Sequence, residues 1–199
     1  EIRRVRSEGE KRPLYYGARC EMYEQDERKG KGKDIPNYFE ERIGMLMDGY
    51  KPDPDPGMIT IGIPRGLMVF YQEFPYWSTF FKELGFNVIA SDKTNNQTIK
   101  KSLSLIVAET CFPVEVMHGH IYEMLEGNID YVFTPFMINS KKEEGNTTSN
   151  MNCPWIQSYP FMVRAALPEE QREKLLTPTL NFRYYGKVVE NELYQYFGK

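Results

Sequence analysis

Three short apolar runs, separated by helical patterns, constrain this chain more than any other feature. Met58-Ile59-Thr60-Ile61-Gly62-Ile63, Phe86-Asn87-Val88-Ile89-Ala90-Ser91 and Asp130-Tyr131-Val132-Phe133-Thr134-Pro135 have strand length and little polar alternation. Strands without alternation are buried on both faces, the condition of a parallel sheet wrapped by helices. The intervening segments repeat their apolar residues every three or four positions, so the order reads strand, helix, strand, two helices, strand. The expected fold class is α/β, a Rossmann-like or flavodoxin-like parallel sheet of three to four strands with helices on both faces. Leu180-Asn181-Phe182 is the candidate fourth strand.

After the first run, Leu67, Phe70, Tyr71, Phe74, Trp77, Phe81 and Leu84 recur at helical spacing, and Gly85 stands where a helix ends. Pro75 interrupts that pattern, which predicts a break near Glu73–Phe74. A second helix is expected over 98–109 with Ile99, Leu103, Ile106 and Val107 inward. Others are expected over 113–125, 159–167 and 187–197.

Residues 1–57 read as an irregular lead-in and linker, and 58–199 as the α/β domain. The lead-in holds one short helix, with Phe39, Ile43, Leu46 and Met47 on one face. Lys51-Pro52-Asp53-Pro54-Asp55-Pro56-Gly57 is extended by its alternating prolines. Lys29-Gly30-Lys31-Gly32-Lys33 is a solvated loop, because a phosphate cradle needs its glycines ordered between a strand and a helix. The stretch 138–151 is a polar loop. Lacking an initiator Met, the chain is expected to be a fragment of a larger multidomain protein.

Lys and Arg number 25 against 28 Asp and Glu, a net charge of −3, which argues against a nucleic-acid binder. No apolar run approaches the roughly 18 residues a membrane span needs, and Glu1-Ile2-Arg3-Arg4 opens no signal peptide. Three dispersed cysteines, Cys20, Cys111 and Cys153, make no disulfide framework and fit a reducing, cytoplasmic setting.

Ligands of open α/β sheets gather at the carboxyl ends of the strands, and three spots fall there. Arg65, in Ile63-Pro64-Arg65-Gly66, stands beside a helix start and suits a bound anion, or else pairs with a local carboxylate. Cys111, in Glu109-Thr110-Cys111-Phe112-Pro113, precedes a helix whose dipole favours a thiolate. Cys153, in Met151-Asn152-Cys153-Pro154-Trp155, has a similar setting. Each thiol has a plainer reading as a small buried hydrophobe. His118 and His120 lie on different faces of one helix, so they do not chelate one ion together. Either could be a ligand or a proton carrier, or simply a surface or core-edge imidazole. No Walker A loop, G-x-G-x-x-G, G-x-S-x-G or H-E-x-x-H occurs, so ATP binding and independent turnover are not expected of this segment.

Four strings taken in order are more specific than any alone. They are Ile61-Gly62-Ile63-Pro64-Arg65-Gly66-Leu67, Glu109-Thr110-Cys111-Phe112-Pro113 with His118 and His120, Asp130 to Pro135, and Asn152-Cys153-Pro154-Trp155. With Gly17-Ala18-Arg19-Cys20-Glu21-Met22-Tyr23 ahead of them, roughly residues 10 to 165 resemble the activase-related domain of the 2-hydroxyacyl-CoA dehydratase system, the CoA-substrate-specific enzyme activases. The resemblance implies a domain that accompanies an ATPase module in a larger polypeptide. That module binds the ATP and drives low-potential electrons through an iron–sulfur cluster to a dehydratase or reductase component of anaerobic metabolism. It also implies Cys111 and Cys153 as ligands of a [4Fe–4S] or related cluster, with Cys20 as a third. A four-cysteine site needs one thiol more than this chain has. The alternative is a non-catalytic scaffold that docks the ATPase module to its dehydratase-like partner, which would show separated buried thiols and an exposed apolar patch.

Overall fold

A computed structural model describes residues 3–5, 14–16, 36–52, 55–141, 150–184 and 186–198. Cys20, the 17–23 string, the 29–33 loop, Asp53-Pro54 and residues 142–149 of the polar loop lie outside the described residues. The chain divides into two compact units, Glu1–Tyr38 and Phe39–Lys199. In the first, β1 (Arg3–Val5) pairs antiparallel with β2 (Leu14–Tyr16), Arg4 opposite Tyr15.

The second unit is built on a four-stranded parallel sheet in the order β4-β3-β5-β7. Its strands are β3 (Thr60–Ile63), β4 (Asn87–Ala90), β5 (Tyr131–Phe133) and β7 (Leu175–Leu176). All four residues of β3 are buried, as a central strand covered on both faces requires. In register, Ile61 lies opposite Val88 on one side and Tyr131 on the other. The β5–β7 ladder runs on into a second parallel pair, β6 (Phe136–Asn139) with β8 (Thr179–Asn181). The Thr134 N–H donates to the Leu176 carbonyl at 2.8 Å and the Phe136 N–H to the Pro178 carbonyl at 2.8 Å. The two sheets are therefore one ladder, interrupted at Thr134-Pro135 and Thr177-Pro178, where proline brings no N–H. Strand β6 occupies the start of the segment expected to be loop.

Helix α1 (Tyr38–Leu46) buries none of its residues, and Phe39 on its expected inner face is exposed. The break at Pro75 is present, with α2 (Leu67–Tyr71) and α3 (Phe74–Glu83) meeting at Glu73. Trp77 and Phe81 of α3 are fully buried against Phe133 of β5, with ring centroids 4.6 and 5.0 Å away. Helix α4 (Asn96–Leu105) is followed by α5 (Phe112–Glu126), α6 (Pro154–Ala166), α7 (Glu169–Arg172) and α8 (Lys187–Phe197).

The buried face of α4 differs from the one its apolar spacing predicts. Thr98 and Ser102 are buried, whereas Leu103 and Val107 are exposed. The cause is the close crossing with α5. The Ser102 hydroxyl accepts the Gly119 N–H at 3.0 Å and lies 3.1 Å from the Val116 carbonyl, so only a small polar side chain fits there.

The outer edge of β4 is closed by the segment before β3. Tyr50 takes the Ala90 N–H on its hydroxyl at 2.9 Å and donates to the Val88 carbonyl at 3.1 Å. Asn87 accepts the Asp55 N–H and donates to the Asp55 and Met58 carbonyls and to Thr60 Oγ1, at 2.8–3.3 Å. Replacing Asn87 by Ala removes four hydrogen bonds, one of them to the buried Thr60 hydroxyl and three to part-buried backbone groups of Asp55 and Met58. A loss of about 2–3 kcal/mol in urea unfolding is expected, and a loss below about 0.5 kcal/mol would show water making those bonds instead.

Candidate functional site

Three pairs of neighbours fix the direction of α5 against the sheet. Gly62 of β3 faces Met124, Gly66 just beyond that strand faces Met117, and Ser91 just beyond β4 meets His120. Residue numbers fall along the helix as they rise along the strand, so α5 runs antiparallel to the strands and its first residues stand at their carboxyl ends. Helix α6 has the same sense. Phe161 packs at a tilt against Phe136 at the start of β6, with centroids 4.4 Å apart, and Asn152, just before the helix, bonds Met137 and Ser140 further along it. The backbone of Met162 on α6 lies against the His118 ring of α5.

Cys111 is the N-cap of α5 and Cys153 the N-cap of α6; each has Pro in the first turn, and both thiols are free and exposed. They are not the buried hydrophobes of the plainer reading. From the His118–Met162 contact the two thiols lie about two and about two and a half turns back along helices of the same sense. Cys20, the third sequence candidate, is outside the described residues. Among the described residues no three His, Cys, Asp or Glu side chains form a group able to hold a metal ion.

Arg65 follows β3 directly. Its backbone N–H donates to Ser91 Oγ at 2.7 Å and its Nε to the Ser91 carbonyl at 3.0 Å. The guanidinium lies 5.0 Å from the centre of the Phe70 ring, and Nη2 is 3.4 Å from Met47 Sδ. No local carboxylate pairs with it among the described residues. Leu67, two residues on, has φ 49, a left-handed conformation uncommon for a non-glycine residue.

His120 is 1% exposed, with Nδ1 3.0 Å from Ser91 Oγ and Nε2 2.8 Å from Thr94 Oγ1. Ser91 Oγ accepts the Arg65 N–H and has its own proton to give to Nδ1 in the tautomer with the ring proton on Nε2. In that tautomer Nε2 carries the ring proton and donates to Thr94, whose own hydroxyl proton stays free; the opposite tautomer leaves the Ser91 proton free instead. Burial first, and then the Arg65 charge, lower the imidazole to about 4, against a smaller opposing pull from Asp92. His120 is thus a neutral ring inside a hydroxyl relay.

His118 is also buried and held low by desolvation. Its Nδ1 lies 3.2 Å from the Val114 and Glu115 carbonyls, while Nε2 is buried with no hydrogen-bond partner among the described residues. The two histidines do face different ways.

The residues that sequence reading missed are Ser91, Thr94 and Glu73. Ser91 was findable as the first residue past a parallel strand. Glu73 had a weaker signal, a carboxylate beside the helix break. Partly buried, with Trp77 Nε1 donating to its Oε2 at 3.0 Å, it is raised by desolvation to about 7.

Comparison with known proteins bears on residues 60–199, which match the family described as the CoA enzyme activase uncharacterised domain. The chain belongs to that family. The match spans more than half the chain and holds every site residue above except Cys20. No curated protein and no solved structure matches. The activase-family chain has, among its described residues, no helix long and apolar enough to cross a membrane.

Proposed function

We propose that this activase-family chain contributes thiolate ligands to an iron–sulfur cluster in an activase or 2-hydroxyacyl-CoA dehydratase-related protein. One observation carries the reading: Cys111 and Cys153 are exposed, unpaired, and placed alike at the starts of two helices of the same sense. Loops at helix starts bring backbone N–H groups toward sulfur, which cluster sites use to tune potential. The donor set fits in kind, two soft thiols in solvent reach, and Cys20 would be the third ligand. A [4Fe–4S] or related cluster held there supplies one-electron, low-potential transfer. The chain's own contribution is to hold the sulfurs. The hydroxyl–imidazole pair that could serve as nucleophile and base, Ser91 with His120, is buried and already holds the Arg65 N–H, so turnover is assigned to the assembled system. An ATPase module elsewhere in the parent polypeptide would drive the transfer, and a dehydratase or reductase component would receive the electrons. The setting would be cytoplasmic, without nucleic acid or membrane.

Anaerobic incubation with iron and sulfide tests this. A brown protein is expected, with broad visible absorption that bleaches on reduction and is lost in Cys111→Ser and Cys153→Ser. A colourless wild type, folded by circular dichroism, favours the scaffold reading instead. Exposed Phe112, Trp155 and Phe161 would then be its docking residues.

A further inference from the structure

We propose that Arg65 anchors a binding site for a small oxyanion, a carboxylate or phosphate group, at the carboxyl ends of β3 and β4, with the Thr94 hydroxyl as a second donor. The site is independent of the thiols, so its test and the cluster test fail separately. Guanidinium has five N–H donors. Among the described residues only Nε meets an oxygen, the Ser91 carbonyl, and Nη2 meets only the weakly accepting Met47 sulfur. A half-buried cation normally has a counter-ion. Here its place is taken by an aromatic face, a thioether and a neutral imidazole, which leaves the planar fork ready for an oxyanion.

The location agrees. In strand order β4-β3-β5-β7 the direction of winding switches between β3 and β5, so the loop after β3 borders the crevice where open α/β sheets take ligands, with the Ser91–Thr94 segment on the loop's other side. Arg65 is in that loop. Ser91 and His120 fix it from behind, through the Arg65 N–H, Nε and the Ser91 Oγ bond to Nδ1. The relay ends on Thr94, which is exposed; with the ring proton on Nε2 its oxygen takes that proton and its own hydroxyl proton is left for a ligand. Asp92 is near enough to act on His120 but makes no ion pair with Arg65, so it limits the charge the site accepts without occupying it.

The probes are inorganic phosphate and acetate, titrated by calorimetry into the whole 199-residue chain at constant ionic strength. Saturable binding of at least one is expected, weakened about tenfold or more in Arg65→Gln, the size of one charge-assisted hydrogen bond. Preference for acetate or for phosphate assigns the natural group as carboxylate or phosphoryl. The His120 ring, followed by NMR, should become easier to protonate when the anion offsets the Arg65 charge. Thr94→Val, an exposed change, should weaken binding about threefold or more, and it decides the matter if Arg65→Gln fails to fold. No saturable binding of either probe by folded wild type overturns the proposal. So does unchanged affinity in a folded Arg65→Gln, or, where that variant does not fold, in Thr94→Val.

Discussion

Gly119→Ala is expected to lower stability by about 3 kcal/mol or more, although alanine is the better helix former by about 1 kcal/mol. The sign is set by the α4–α5 crossing. A Cβ at Gly119 would meet Ser102 Oγ and the Thr98 carbonyl oxygen inside 3.0 Å. A side chain can rotate away, but a carbonyl within a helix cannot. Ser102→Gly in the same chain should therefore restore little, because the clash with Thr98 remains and Ser102 also accepts the Gly119 N–H. The lost separation should reach the site, since His120 is the next residue and its ring bonds Ser91 and Thr94. Denaturant unfolding of Gly119→Ala, Ser102→Gly and the double variant measures the effect. A gain in stability for Gly119→Ala would mean that α4 can move aside, and the crossing would lose its role in placing His120.

The sequence made the parallel sheet legible because strands buried on both faces are written as unbroken apolar runs. Pro75 likewise announced the break between α2 and α3, and the pattern over 187–197 matches α8. What stayed hidden has physical causes. Strand β7 is two residues long and is cut off from β8 by Thr177-Pro178, so it gives no pattern of strand length, and the fourth strand of the sheet is β7, whereas the candidate Leu180-Asn181-Phe182 lies largely in β8. The inward face of α4 follows Gly119, a residue on a different helix, and local periodicity carries no trace of it. The same holds at the site. Arg65, Cys111 and Cys153 were legible because each sits beside a strand end or a proline-marked helix start. The Ser91–His120–Thr94 relay was not, because it joins the end of a strand to the middle of a helix nearly thirty positions away.

Two titratable groups, the partly buried Glu73 and the buried His120, are expected to pull the pH dependence of stability in opposite directions over one window. Glu73 titrates near 7 in the folded chain against an ordinary 4.5, so between those values the folded state holds the extra proton and stability falls as pH rises. His120 titrates near 4 against an ordinary 6.5, so there the unfolded state holds the extra proton and stability rises with pH. His118, lowered by burial, adds to the His120 side. From about pH 4.5 to 6.5 the Glu73 and His120 slopes offset each other, and single variants should uncover them. Glu73→Gln, relative to wild type, should gain about 1–2 kcal/mol from pH 4.5 to 7, a range reduced for the partial exposure of the carboxylate. His120→Gln should lose stability at pH 7, where the neutral relay is intact, and recover about 2–3 kcal/mol of that relative loss by pH 4, as the wild type becomes obliged to charge a buried ring. Urea unfolding across pH 4 to 7.5 reads both slopes. Parallel curves for wild type and His120→Gln would mean that the ring takes up its proton alike in the folded and unfolded chain, and the buried neutral imidazole would lose its part in holding Ser91 and Thr94.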